Sequence, residues 1–142
     1  MNVSQDKTRV VDIGGVIGEV DVSETVLSVD GIIQLSPMKT HCLSVITCAL
    51  KGHWGLLPRS RHSWHLLFDE AICDVVAFFR DKVRFTCVDA TIAMEGNGPR
   101  TGIPKVTDLV LAGLDPVAID AVAARIMGID PRRVSHIVMA EN

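Results

Sequence analysis

Two Asp-Pro dipeptides near the carboxyl end, Asp115-Pro116 and Asp130-Pro131, restrict what this chain can fold into more than any other feature. An Asp in the cap position accepts hydrogen bonds from the free N–H groups of a helix. A Pro in the first helical position gives up an N–H that would have no partner anyway. Behind Asp115-Pro116, the residues Ile119, Val122, Ala123 and Ile126 recur on one face, and Gly128 suits the left-handed residue that ends a helix. The spacing predicts a helix from Pro116 to the Gly128 stop, and a short last helix through Val134, Ile137 and Val138.

Upstream, helical and strand patterns alternate. Residues 1–9 read as a polar lead, and Val10 to Ile17 (VVDIGGVI) as a strand that ends in a turn at Gly14-Gly15. Gly14, Gly15 and Gly18 do not make GxGxxG and no helical pattern follows, which sets aside a dinucleotide loop. Glu19 to Val29 holds a second strand or a short helical turn started by Ser23. Gly31 to Leu35 is a clearer strand, stopped by Ser36-Pro37. Leu43, Ile46 and Leu50 then recur at helical spacing up to Gly52, predicting a buried helix with Lys39 and His41 at its start. Lys51 and His53 would lie at the far end, about 15 Å away by the helical rise, too far to share one small site by way of this helix.

Gly52 to Ser63 (GHWGLLPRSRHS) has loop composition and suits a lid or binding loop, with Trp54 as its anchor or as a stacking surface. Phe68, Ile72, Val75, Val76 and Phe79 form one face of an amphipathic helix. Val83 to Val88 reads as a strand with Asp89 at its carboxyl end, Ala90 to Pro104 as irregular backbone, and Val106 to Ala112 as another strand. The order β, α, α, β, β, α, α predicts an α/β fold, a mixed or mostly parallel sheet with helices packed on it, in a single domain over residues 1–142.

The length of 142 residues and 48% hydrophobic content support one buried core. No run is long enough to span a bilayer and the first residues lack signal-peptide order, so a cytoplasmic location is expected. Cys42, Cys48, Cys73 and Cys87 contain no CxxC pair and no iron–sulfur ligand spacing, and read as small core residues. The net charge of −3 is unevenly spread. From Gly31 to Phe68 there is no Asp or Glu, whereas Lys39, Lys51, Arg59, Arg61, His41, His53, His62 and His65 all fall there. Acidic flanks argue against a nucleic-acid surface, and the basic segment predicts a local pocket for a phosphate or carboxylate. The plainer alternative is that Arg59 to His65 is a solvated basic loop.

Five stretches taken together, PMKTH (37–41), ALKGHWGLLP (49–58), LFDEAICDV (67–75), VDATIAMEGNGP (88–99) and DPVAIDAVAARIMG (115–128), resemble the domain of unknown function 362 family. The resemblance runs through most of residues 30–140. It implies little chemistry, because that family is uncharacterised. Its members are often joined to a bacterial-type iron–sulfur ferredoxin segment, which implies a redox setting. This sequence departs from that arrangement in carrying no such segment and in lacking the amino-terminal portion of longer members. A short or truncated relative is therefore expected, or one that completes its sheet by association.

The candidate site follows from both lines. Lys39 and His41 match the Lys-Thr-His stretch of the family and, ahead of a helix, would bind an oxyanion, with His41 as acid or base; the alternative is that Lys39 is solvated and His41 caps or packs locally. Asp89, Glu95 and Asn97, in or beside a glycine-rich loop, would hold a divalent metal through oxygen ligands or a polar substrate; the alternative is a turn in which Asp89 and Asn97 bond their own backbone. Asp115 serves as a cap. Asp120, on an apolar helix, needs water or a tertiary partner, and Lys39 is one candidate. There is no nucleophile elbow, P-loop or HExxH, and Cys42 belongs in a helix interior.

Two readings of function stand side by side. The first is an α/β protein with a small-anion or divalent-metal site and a redox-linked activity. The second is a non-catalytic truncated module that binds or assembles with an iron–sulfur protein. A homo-oligomer is compatible with either; nucleic-acid and membrane partners are not expected.

Overall fold

The carboxyl-terminal helices form where the Asp-Pro pairs predict them. The computed structural model describes residues 3–58 and 63–141, so Arg59, Arg61 and His62 of the basic loop lie outside the described residues. Helix α4 (Pro116–Ile126) is capped by Asp115, whose Oδ1 accepts from the N–H groups of Val117 (2.8 Å) and Ala118 (3.2 Å). At its end Gly128 adopts φ 75°, while the N–H of Gly128 donates to Arg125 and that of Ile129 to Ala124. This paired closure satisfies carbonyls that a helix end otherwise leaves free. Asp130 repeats the cap over a 3-10 turn (Pro131–Arg133), followed by α5 (Ser135–Ala140).

The amino-terminal strands β1 (Thr8–Asp12) and β2 (Glu19–Ser23) pair antiparallel as a separate two-stranded sheet. Their glycine turn docks on α3 (Phe68–Phe79), where Asp74 Oδ2 accepts from the N–H groups of Val16 (2.7 Å) and Ile17 (3.3 Å). Gly15 holds φ 58°, a left-handed backbone that favours glycine, and a Cβ there would also crowd the Asp74 carboxylate. The polar lead is structured from a 3-10 turn at Val3–Gln5, and Asp6 accepts from Ser23 Oγ at the start of α1 (Glu24–Ser28).

The main sheet has the order β4-β3-β5-β6, formed by β3 (Ile32–His41), β4 (Val45–Thr47), β5 (Val83–Glu95) and β6 (Ile103–Gly113). β3 and β5 run parallel, and β4 and β6 are antiparallel to their neighbours. This is the mixed α/β sheet that the element order predicts.

Three expectations need correcting. β3 does not stop at Ser36-Pro37 but continues to His41, because β4 pairs only with Lys39–His41. At Pro37 the β4 flank of the strand is open, an edge setting in which a missing N–H is tolerated. The helix expected over Leu43–Leu50 is instead a tight turn, the short strand β4 and α2 (Ala49–Gly52); Leu43 is 49% exposed. The helical spacing of Leu43, Ile46 and Leu50 was a coincidence of turn and strand. Likewise β5 runs through Asp89 to Glu95 and pairs with β6 as a long hairpin, so the irregular backbone expected over Ala90–Pro104 is confined to residues 96–102. A register shift between Ala90 and Ile92 absorbs the local disorder of pattern, with Asp108 opposite at φ 51°.

The core lies between the sheet and its helices. α2 packs on β3 and β5 and against α4, while α3 packs on α5. On that side Gln34, Ser36 and Met38 of β3 and Thr86, Val88 and Ala90 of β5 are buried. Gln34 ties the layers together: Nε2 donates to Ala49 O (2.6 Å) and Oε1 accepts from Thr86 Oγ1 (3.2 Å). The intervening residues point the other way and stay uncovered, with Ile33 69%, Leu35 78% and Val110 60% exposed.

Candidate functional site

The loop after β5 and the turn after β3 meet although they are far apart in sequence. Together they border an open cleft of about 800 Å³ whose walls include Thr40, His41, Asn97, Gly98, Arg100 and Thr101. Close approach depends on Gly98: a Cβ there would lie 2.1 Å from Thr40 O and 2.6 Å from Thr40 Oγ1. Thr40 Oγ1 is buried without a hydrogen-bond partner. The loop is held in turn by Thr101 Oγ1, which donates to Asn97 O (2.9 Å).

His41 closes the β3–β4 turn. Its Nδ1 accepts from the N–H groups of Leu43 (3.2 Å) and Ser44 (3.3 Å), which assigns the imidazole proton to Nε2. Val45, in the same turn, is held at φ 62°, a left-handed conformation that a β-branched residue adopts only when its surroundings impose it. The His41 ring stacks on Phe68 (5.7 Å, 23°), and Lys51 Nζ lies 5.5 Å from the same ring. Burial, with Lys51 and then Lys39 adding to it, pushes the His41 imidazole down to about 4. At neutral pH it is an uncharged donor through Nε2–H.

That arrangement overturns the expected separation of the two basic pairs. Because no long helix intervenes, Lys51 folds back to the ring on which His41 stacks. His53 goes elsewhere: it is buried, with Nδ1 3.1 Å from Ala49 O and 3.2 Å from Leu50 O. Trp54 is 7% exposed and meets Trp64 and Phe68 edge to face, as an anchor would.

The remaining candidates separate. Lys39 is on β3, paired with Thr47 and Met94, beside the cleft rather than at a helix start. Asp89 lies within β5, and its Oδ1 accepts from Thr91 Oγ1 (2.7 Å) and Thr91 N (2.9 Å), the local turn-like use weighed above. Those bonds hold its carboxyl below the usual range. Glu95 faces Lys105 at 3.6 Å in an exposed ion pair. Only His41 and Asn97 of the predicted set line the cleft. Among the described residues, no three His, Cys, Asp or Glu side chains gather as a metal site would require.

Asp120 is fully buried on α4, and its partner is not Lys39. Oδ1 accepts from Ala49 N (2.6 Å) and Oδ2 from Leu50 N (3.1 Å), so the carboxylate caps α2. His136 Nε2 is 3.9 Å from Asp120 Oδ2, and His136 Nδ1 is 3.0 Å from Asp69 Oδ1. A line from the half-buried Asp69 through the buried His136 to the buried Asp120 thus joins α3, α5 and α4. Burial pushes the Asp120 carboxyl up to about 6, opposed by the two N–H groups and His136. Burial and the Asp120 charge raise the Cys48 thiol, which excludes it as a ready thiolate.

Sequence reasoning missed Arg100, Thr40 and Thr101. Arg100 was legible as a cation inside the glycine-rich stretch; the two threonines carried no signal.

Fold and cleft define a class, a mixed-sheet α/β domain with helices on one face and an open cleft between two loops. The chain belongs to the family described as Domain of unknown function (DUF362), whose model matches residues 1–125. It is also similar to the Thylakoid-associated protein sll1697 of Synechocystis sp. (strain ATCC 27184 / PCC 6803 / Kazusa), 26% identical over 128 residues. That alignment covers 84% of this chain and 39% of the relative, so the chain spans about two fifths of the curated protein it matches. No solved structure matches. Among the described residues, no helix is long and apolar enough to cross a membrane.

Proposed function

We propose that the protein binds a small oxyanion, a phosphate or carboxylate, in the cleft between the β3–β4 turn and the β5–β6 loop. The observation that carries this reading is that Arg100 and the uncharged, Nε2-protonated His41 both line one cleft. Arginine forks match carboxylate and phosphate oxygens, and a neutral imidazole N–H adds a donor without needing to be charged. His41 acts here as a binding donor rather than as a base, since Nδ1 is occupied by backbone N–H groups. The setting we propose is cytoplasmic, supported by four free cysteines.

Isothermal titration of the whole chain with inorganic phosphate and with a small carboxylate tests this. Saturable binding is expected, weakened about tenfold or more in Arg100→Ala and in His41→Gln. No saturable heat with either anion, or parental affinity in both variants, overturns it.

A second reading, a non-catalytic assembly module, is favoured by a different observation, the uncovered apolar side of the main sheet. For an iron–sulfur protein as the partner, the support is family resemblance alone.

A further inference from the structure

We propose that the uncovered face of the main sheet is the interface of a two-fold dimer of this chain. Ile33 and Leu35 of β3, Phe85 and Cys87 of β5, and Val110 and Ala112 of β6 occupy one side of three adjacent strands. Their register makes them neighbours: Ile33 pairs with Phe85, Leu35 with Cys87, and Cys87 with Ala112. The residues between them, Gln34, Thr86 and Val88, are buried under the helices, so the alternation assigns these six to the opposite side.

The exposures are large for a side of a sheet: Leu35 78%, Ile33 69%, Val110 60% and Phe85 38%. Together they amount to roughly 500 Å² of apolar surface, at the upper end of what a soluble monomer leaves in one patch. A stable two-protein interface removes about 800 Å² from each partner, and somewhat more than half of that is apolar. The face therefore supplies about the apolar share of one such interface. The parallel pair β3 and β5 adds to the argument, because parallel strands are found with both sides covered.

A second copy is the occupant that these features favour. Among the described residues of these rows, Asp89, opposite Pro37 and Val110, is the charged one, and it sits at the end of the patch. A partner chosen by charge would find little to read. An identical apolar face brought over by a two-fold axis presents the same largely uncharged surface, and two such sheets stack about 10 Å apart with their side chains interleaved. The inference is independent of the oxyanion cleft.

The test combines light scattering with cysteine labelling on the whole chain. At tens of micromolar, a mass of about twice the 15.4 kDa chain is expected, and Cys87 should alkylate many times more slowly than the exposed Cys42. Leu35→Glu and Val110→Glu change exposed positions, so each should retain the parental circular dichroism, run at single-chain mass, and bring the Cys87 rate up severalfold. A single-chain mass for the folded parent overturns the proposal, whether or not that parent binds lipid vesicles. So does a dimer that survives both substitutions, or Cys87 labelling at one rate in the parent and the variants.

Discussion

Asp120 Oδ1 accepts the N–H of Ala49 at 2.6 Å, joining the middle of α4 to the first turn of α2 through the centre of the molecule. With Leu50 N on Oδ2, one buried carboxylate satisfies two of the free N–H groups of a helix that has no side-chain cap of its own. α2 is only one turn long. Such a piece has little stability in isolation, so its position depends on this tie and on Gln34 beneath it.

Replacing Asp120 by Ala should therefore destabilise the fold by about 3 kcal/mol, since two buried N–H groups lose charged acceptors and His136 loses its neighbour. Asp120→Asn keeps the shape and one acceptor oxygen, and should cost about half as much. Urea unfolding monitored by circular dichroism measures both. Near-equal stability of Asp120→Ala and the parent would remove the capping role.

Stability against pH should carry two opposed contributions. The folded Asp120 carboxyl is raised from 3.8 to about 6, so in that window the folded chain holds the extra proton and stability falls as pH rises. The folded His41 imidazole is lowered from 6.5 to about 4, so in that window the unfolded chain holds the extra proton and stability rises with pH. Between about 4 and 6 the two slopes oppose each other. His41→Gln should leave the falling slope, and Asp120→Asn the rising one. Urea midpoints at half-unit pH steps read both, and identical slopes in parent and variants would refute the assignment.

Gly98→Ala should damage the cleft more than the core. The added methyl would meet Thr40 O at 2.1 Å, against backbone that cannot yield, so the loop must move away from the β3–β4 turn. We expect a loss of about 1–3 kcal/mol in stability and weaker phosphate binding. Gly55→Ala, where a Cβ meets nothing within 4 Å, serves as the matched control and should change neither. Melting temperature and phosphate titration of the two variants make the comparison.

Helices α3 and α4 were legible because their signals are local: both carry an apolar face at 3.6-residue spacing, and α4 adds an Asp cap, a Pro start and a Gly stop within one short window. The stretch from Ser36 to Gly52 was not. Its apolar spacing suited a helix, and Pro37 suited a strand end, yet pairing with β4 and β5 drew the backbone into a strand as far as His41. The gain from ladder hydrogen bonds to distant segments outweighed a weak local preference. Glu95 and Asp89 drew attention as carboxylates in a glycine-rich context, but each found a nearby partner, Lys105 and Thr91.

The amino-acid sequence by itself determined the class of fold, the two longer helices, the basic character of residues 31–68 and the resemblance to a family. All of these rest on composition or on neighbours a few positions apart. Only the tertiary structure decided that Asp120 serves Ala49 and Leu50 rather than Lys39, that His41 and Asn97 share a cleft with Arg100 while Asp89 does not, and that one side of the sheet is left bare. Those outcomes depend on which distant strands pair and which side chains then face each other. Pairing across tens of residues is fixed by the free energy of the whole packed layer, and no short window of sequence records it.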